Sequence, residues 1–152
     1  MGGDARRRSV AAQGGPVAVS ACLLGVPCRY DGTHRRSEAV LRAVRGRRVW
    51  PICPEVIAGF GVPRPPIVLT ESPRRVVDAA GRDRTEALRA AGRWVVVQAR
   101  RLGIAAAVLK ERSPSCGVHA LVRDGRTVAG TGLVAAMLRD AGVACTSDET
   151  LD

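Results

Sequence analysis

Three short apolar runs stand far apart in the chain, and each leads into a cysteine. Val17–Ala21 runs into Cys22, and Arg48–Ile52 runs into Cys53. Ile104–Leu109 is followed by Lys110-Glu111-Arg112 and then Ser113-Pro114-Ser115-Cys116-Gly117. Runs this short, bounded by turn formers, predict buried strands rather than helices. Between them the apolar period changes. Ala39, Val40, Ala43 and Val44 recur at helical spacing over 37–44, with Ser37 as N-cap and Gly46 as stop. A second helix is expected over 84–102, started by Asp83 or Thr85 and carrying Leu88, Ala91, Val95 and Leu102. A third is expected over Leu133–Asp140, before Gly142. Val76-Val77-Asp78 reads as a short strand, 120–128 as a hairpin around Asp124-Gly125, and 143–146 as a last strand. Residues 56–66 are rich in Gly and Pro and predict a stiff, extended connector that fixes Arg64.

Strand and helix alternate for most of the length. The expected fold class is therefore α/β: one domain over 16–152, with a mainly parallel, Rossmann-like central sheet flanked by helices. Residues 1–15 are rich in Gly, Ala and Arg without period, and read as a disordered basic arm. In open α/β sheets ligands gather beyond the carboxyl ends of the strands, where the three cysteine loops would lie.

Composition narrows the function classes. No apolar stretch approaches the roughly 20 residues of a membrane span. Charge in the opening residues is not followed by an apolar core, so a cytoplasmic protein is expected. The formal charge of +10 suits a polyanion such as RNA, but only 3% of residues are aromatic, few for stacking on single strands. An arginine-rich solvated surface is the preferred account of the charge. The five cysteines are an odd number and contain no Cys-X-X-Cys pair, which points to metal chemistry rather than to disulfides.

Four ligands for zinc or a cubane cluster could come from Cys22, Cys28, Cys53 and Cys116, or with His34 or His119. Three cysteines on three strand-end loops fit an open, catalytic centre better than a closed, structural one. Glu55 lies two residues after Cys53, and Ser113 and Ser115 flank Pro114 before Cys116, which places acid–base groups at the same edge. Arg29 and Tyr30 can point back at a ligand, and Arg64 suits a planar or anionic one. Lys110 is the only lysine among 24 basic residues, a compact ammonium beside a cysteine loop. Cys145 reads as a buried small apolar side chain outside any site.

The ordered motifs Ser20-Ala21-Cys22-Leu23-Leu24-Gly25, Cys28-Arg29-Tyr30-Asp31-Gly32, Cys53-Pro54-Glu55, Pro63-Arg64-Pro65, Leu109-Lys110 and Ser113–Gly117 resemble a widespread small bacterial family, the 2-thiouracil desulfurases, over about residues 17–148. The resemblance implies a [4Fe-4S] cluster on Cys22, Cys53 and Cys116, with Cys28 not a ligand. It implies an open iron that takes the thiocarbonyl sulfur of a small thiolated base. Glu55 would be general base or acid, and Ser113, with Ser115 in reserve, would hold or shuttle a proton. Uracil and hydrosulfide would leave without net redox change. The segment Ile67–Thr70 departs most from the family pattern, which puts substrate choice in question. Two other readings remain: a zinc- or cluster-stabilised RNA-binding domain, and a desulfurase of thiolated tRNA nucleosides.

Overall fold

The computed structural model of the chain describes residues 14–151. The basic arm expected over 1–15 falls almost wholly outside them. Four parallel strands form the central sheet in the order β2-β1-β5-β8: β1 (Val17–Ser20), β2 (Val49–Ile52), β5 (Ala106–Leu109) and β8 (Ala144–Ser147). Side chains alternate between the two faces of a strand. Val17 and Val19 of β1, with Ala106 and Val108 of β5, pack on Val40 and Val44. Ala18, Ala107 and Leu109 point the other way, against Leu88, Val95, Val134 and Leu138. Both faces are covered, so the two inner strands are apolar at nearly every position. β2 is an edge strand, which is why Pro51 is tolerated inside it.

Helix α1 (Glu38–Ala43) covers one face, and the Ser37 hydroxyl accepts the Val40 N–H at 3.2 Å as its cap. Helices α3 (Thr85–Arg101) and α4 (Leu133–Asp140) cover the other. Two antiparallel hairpins stand beside the sheet: β3 (Ile67–Leu69) with β4 (Val76–Asp78), and β6 (Ala120–Arg123) with β7 (Arg126–Ala129). The second turns at Asp124-Gly125, both at positive φ, as a two-residue turn between twisted strands requires. The Arg123 guanidinium donates two hydrogen bonds to the Leu69 carbonyl, at 2.9 and 2.7 Å, and so fastens one hairpin to the other. No helix among the described residues is long and apolar enough to cross a membrane.

Three points of the sequence-based expectation need correction. Residues 56–66 are not extended throughout. Pro54–Ile57 form a short helix, α2, because Pro54 at the first helical position has the right φ and no N–H to lose. The loop after β1 opens with a turn of 3₁₀ helix over Ala21–Leu24, closed by Gly25 at φ 96°. Ile67–Leu69, given no element from the sequence, pairs with β4.

The chain leaves β1 for β2 on one side and later crosses to β5 on the other. That reversal makes the carboxyl ends of β1 and β5 a topological switch point, where a crevice opens. Register keeps the ends level: Ser20 pairs with Ile52, and Val19 with Val108.

Two glycines separate helix packing from loop packing. A Cβ on Gly92 would lie 2.5 Å from Met137 Sδ, the far end of a flexible side chain. One on Gly132 would lie 2.6 Å from the Ser115 carbonyl and 2.8 Å from Cys116 N, which are backbone. Gly92→Ala gains about 1 kcal/mol of helix propensity against a yielding contact, so chemical denaturation should find it near neutral. Gly132→Ala should lose about 1–3 kcal/mol in the same measurement, because the Cys116 loop must move.

Candidate active site

A cleft of about 610 Å³ opens at this switch point, within the usual range for small-molecule sites. Its floor carries Cys22 from the 3₁₀ turn after β1, Cys53 from the end of β2 and Cys116 from the loop after β5. Arg29 and Tyr30 come from the loop after β1, Arg64 from the segment after α2, and Lys110, Ser113 and Ser115 from the segment after β5. Val68 and Val122 bring one wall from each hairpin. Every site residue expected from the sequence therefore lines one cleft. His34 and His119 are exposed and do not line it, and neither does Cys145, whose thiol faces the Val143 carbonyl at 3.6 Å.

The centre of the cleft is a line of polar groups. Glu55, 9% exposed, sits in the first turn of α2. Its Oε1 accepts from Arg64 Nε at 3.0 Å, and its Oε2 accepts from the Ser115 hydroxyl at 3.0 Å. Ser113 Oγ lies 3.1 Å from Ser115 Oγ. Because Ser115 donates to the carboxylate, Ser113 is the donor to Ser115. Ser113 Oγ also accepts the N–H groups of Ser115 and Cys116, at 3.2 and 3.0 Å, which shapes the turn that carries Cys116. Arg64 is not a free guanidinium waiting for a ligand. Its side chain is 4% exposed, and besides Glu55 it donates to the Gly61 carbonyl at 2.9 Å. The Lys110 ammonium donates to the Glu111 carbonyl at 3.1 Å and lies 3.8 Å from Asp148.

Residues 17–150 match the sequence pattern of the 2-thiouracil desulfurase family. The chain belongs to that family. It is 32% identical over 147 residues to the Bacillus subtilis (strain 168) protein YbbK, itself described as uncharacterized, across 90% of this chain and 97% of that one. Its fold is similar to a solved structure of TudS, a [4Fe-4S]-dependent thiouracil desulfidase. The TM-score is 0.80 at 36% identity, over 90% of this chain and 92% of that one.

In this member of the 2-thiouracil desulfurase family the cysteines differ sharply in acidity. Burial pushes the Cys22 thiol up to about 11, against the pull of Arg29 and Lys110. Burial also pushes Cys116 up to about 12, although hydrogen bonds from Ser20 and Ser115 favour its thiolate. Cys53 goes the other way, below the ordinary thiol range, because the hydrogen bond with the Cys28 thiol, the Val56 N–H and Arg64 outweigh its burial. Cys28 is pushed up by the same shared hydrogen bond, and the Cys53 Sγ also lies 3.7 Å from the Cys28 carbonyl. Cys28 thus lies within the cleft, beside Cys53, a placement its sequence position left open.

The donor set fits an iron–sulfur cluster. Three sulfurs from three elements share one cleft and feel one another's charge, with cations of Arg29, Arg64 and Lys110 around them. Among the described residues, no three His, Cys, Asp or Glu side chains converge closely enough to hold a single metal ion. A cluster needs sulfurs set further apart, because each thiolate takes its own iron. The sequence reading missed Ser20, whose hydroxyl is shared by Cys116 and the Lys110 N–H. It also missed Glu111 and Asp148, two carboxylates that no motif announced.

In metal-free protein the thiolate of Cys53 is expected to form at lower pH than that of an ordinary thiol, because Cys28 and Arg64 favour it. Alkylation followed by peptide mass spectrometry should find Cys53 modified first, at a rate that climbs with pH and levels below the ordinary thiol range. Cys22 and Cys116 should still be gaining reactivity far above it. Cys28→Ala removes the hydrogen bond that favours the thiolate and should move the Cys53 inflection upward.

Proposed function

We propose that this chain hydrolyses the C=S group of a thiolated nucleobase such as 2-thiouracil, giving uracil and hydrosulfide with no net redox change. The observation that carries the reading is the Ser113–Ser115–Glu55–Arg64 line of hydrogen bonds standing beside three cysteines in one cleft. Cys22, Cys53 and Cys116 would hold a [4Fe-4S] cluster. When bound, such a cluster supplies a Lewis-acidic iron with a free position, since a cubane normally takes four cysteines and here receives three.

The protein's own groups do the rest. Val68 and Val122 offer apolar surface to the faces of a flat ring, and Arg29 and Tyr30 border the cleft where its polar edge would lie. Arg64 fixes Glu55 and leaves the carboxylate free to accept the proton of a water attacking the C=S carbon. Ser115 and Ser113 form a relay between Glu55 and the open part of the cleft, so the same proton can return to the departing sulfur. The balance is one water consumed, one C=O formed, and sulfur released as hydrosulfide plus a proton. Lys110 faces Cys22 and offsets the negative charge that thiolates and sulfide bring. All five cysteines are unpaired, which suits a reducing, cytoplasmic compartment.

A second substrate form is favoured by one feature. Arg35 and Arg112 line the cleft and are exposed, so a thiolated base still attached to an RNA phosphate chain would find cations outside the base pocket. Activity on thiolated tRNA that falls steeply with salt, while activity on the free base does not, would identify that form.

Anaerobic reconstitution followed by iron, sulfide and product analysis tests the main reading. Cys22→Ala, Cys53→Ala and Cys116→Ala should each lose the cluster, and Cys145→Ala should keep it. Tight stoichiometric zinc with no iron uptake would overturn the proposal. Glu55→Gln should retain iron and lose turnover on the order of 10²–10⁴-fold.

Lys110→Arg has a separate expectation. The ammonium sits in a space 16% exposed, between the Glu111 carbonyl and Asp148. A wider, planar fork does not match that seat. Cluster retention or sulfide release should fall for Lys110→Arg and further for Lys110→Ala, beside an unchanged Arg89→Ala control on the α3 surface.

A further inference from the structure

Glu111 is buried, 4% exposed, and lies at the mouth of the loop that carries Cys116. A single oxygen of its carboxylate accepts three consecutive backbone N–H groups: Val118 at 2.7 Å, His119 at 2.8 Å and Ala120 at 3.0 Å. The Ser147 hydroxyl at the end of β8, itself fully buried, also hydrogen-bonds this carboxylate. The Glu111 N–H donates to Asp148 Oδ1 at 2.7 Å. One residue later Arg112 adopts φ 67°, uncommon for a residue with a Cβ, and its N–H meets the Ala120 carbonyl at 3.1 Å. Residues 111–120 are therefore a compact loop whose two ends are tied together by its own first side chain.

The loop's carbonyl groups are satisfied from the other side. The first N–H groups of α4 reach in: Leu133 donates to the Pro114 carbonyl, and Val134 and Ala135 to the Ser115 carbonyl. Helix α4 holds the outer turn and Glu111 holds the base. Between these fixed ends stand Ser113, Ser115 and Cys116. Glu111 touches neither Glu55 nor any of the three cysteines, yet everything that the loop presents to the cleft depends on where its base is pinned.

We propose that Glu111 is a positioning residue for the desulfurisation site: by tying the loop base to β8, its carboxylate fixes where Cys116 Sγ and Ser115 Oγ stand relative to Glu55. This rests on the desulfurase reading for its meaning, but not for its test. A carboxylate is suited to the task because charge-assisted hydrogen bonds are about twice as strong as neutral ones. Without it, three amides, that of Val118 buried and those of His119 and Ala120 part-buried, lose their acceptor together.

The test begins with metal-free protein, in which Cys116 is 5% exposed and hence protected. Glu111→Ala should raise the alkylation rate of Cys116 about 10–100-fold, read by peptide mass spectrometry, and speed amide exchange of Val118, His119 and Ala120 by a similar factor. The amides of β1 and β5 should keep their parental exchange. Glu111→Gln keeps an acceptor in place and should bring both rates back to within about threefold of the parent. Ser37→Ala, which removes the α1 cap on the opposite face, serves as a comparator for general loss of stability. Equal Cys116 reactivity in Ser37→Ala and Glu111→Ala, or a parental rate in Glu111→Ala, overturns the proposal. Should Glu111→Ala not fold, Glu111→Asp decides instead, since its carboxylate falls one methylene short: faster Cys116 alkylation supports the role and a parental rate overturns it. Anaerobic reconstitution of the same variants forms the second arm, with lower iron retention expected for Glu111→Ala. If the parent itself takes up no iron, the desulfurase reading fails, while the alkylation and exchange arm still decides the role of Glu111.

Discussion

Parallel strands that end at one height decide where this protein can do chemistry. Hydrogen-bond register locks Ser20 opposite Ile52, and Val19 opposite Val108, so β1, β2 and β5 give out along one edge. Whatever follows each strand end is delivered to the same crevice. Two of the followers are short: Cys22 and Cys53 come within two residues of their strands. The third, Cys116, is carried on a longer loop. It is the part that needs outside support, supplied by α4 at one end and Glu111 at the other.

The chain is strongly basic, and its interior acids are few and heavily used. Glu55 joins Arg64 to Ser115. Glu111 gathers three amides. Asp78 accepts from the N–H groups of Ala80 and Arg82 and from the side chains of Arg82 and Arg84, which shapes the turn after β4. A buried carboxylate without partners is expensive, so each of these marks a place where several donors had to be collected. Only the first joins the polar groups at the centre of the cleft; the other two hold turns of backbone.

The cysteines follow the same logic of partners. Burial alone would keep every thiol protonated, and it does so for Cys22 and Cys116. Cys53 departs because it shares a hydrogen bond with Cys28 and Arg64 stands nearby. The cleft therefore holds one thiol shifted toward its thiolate and two shifted away from it, an order set by neighbours rather than by residue type.

The sequence by itself determined the alternation of strands and helices, the capping of α1 by Ser37, the Asp124-Gly125 turn, and the gathering of Cys22, Cys53, Cys116, Glu55 and the two serines at one edge. These follow from local rules: apolar period, turn chemistry, and the place where a parallel strand must end. Tertiary structure alone decided the rest. Arg64 stands nine residues from Glu55, yet its guanidinium is committed to that carboxylate. Cys28 reaches Cys53 from another loop, and Ser115 finds Glu55 from sixty residues away. Residues 56–66, legible only as rich in Gly and Pro, fold partly into α2 once Cys53 fixes its start. Glu111 carried no motif at all, because its role depends on three N–H groups that converge only after the loop has closed. A sequence shows which groups exist and which local bends they favour. Which donor meets which acceptor is settled by long-range packing, where leaving a buried polar group unpaired costs more than any local preference supplies.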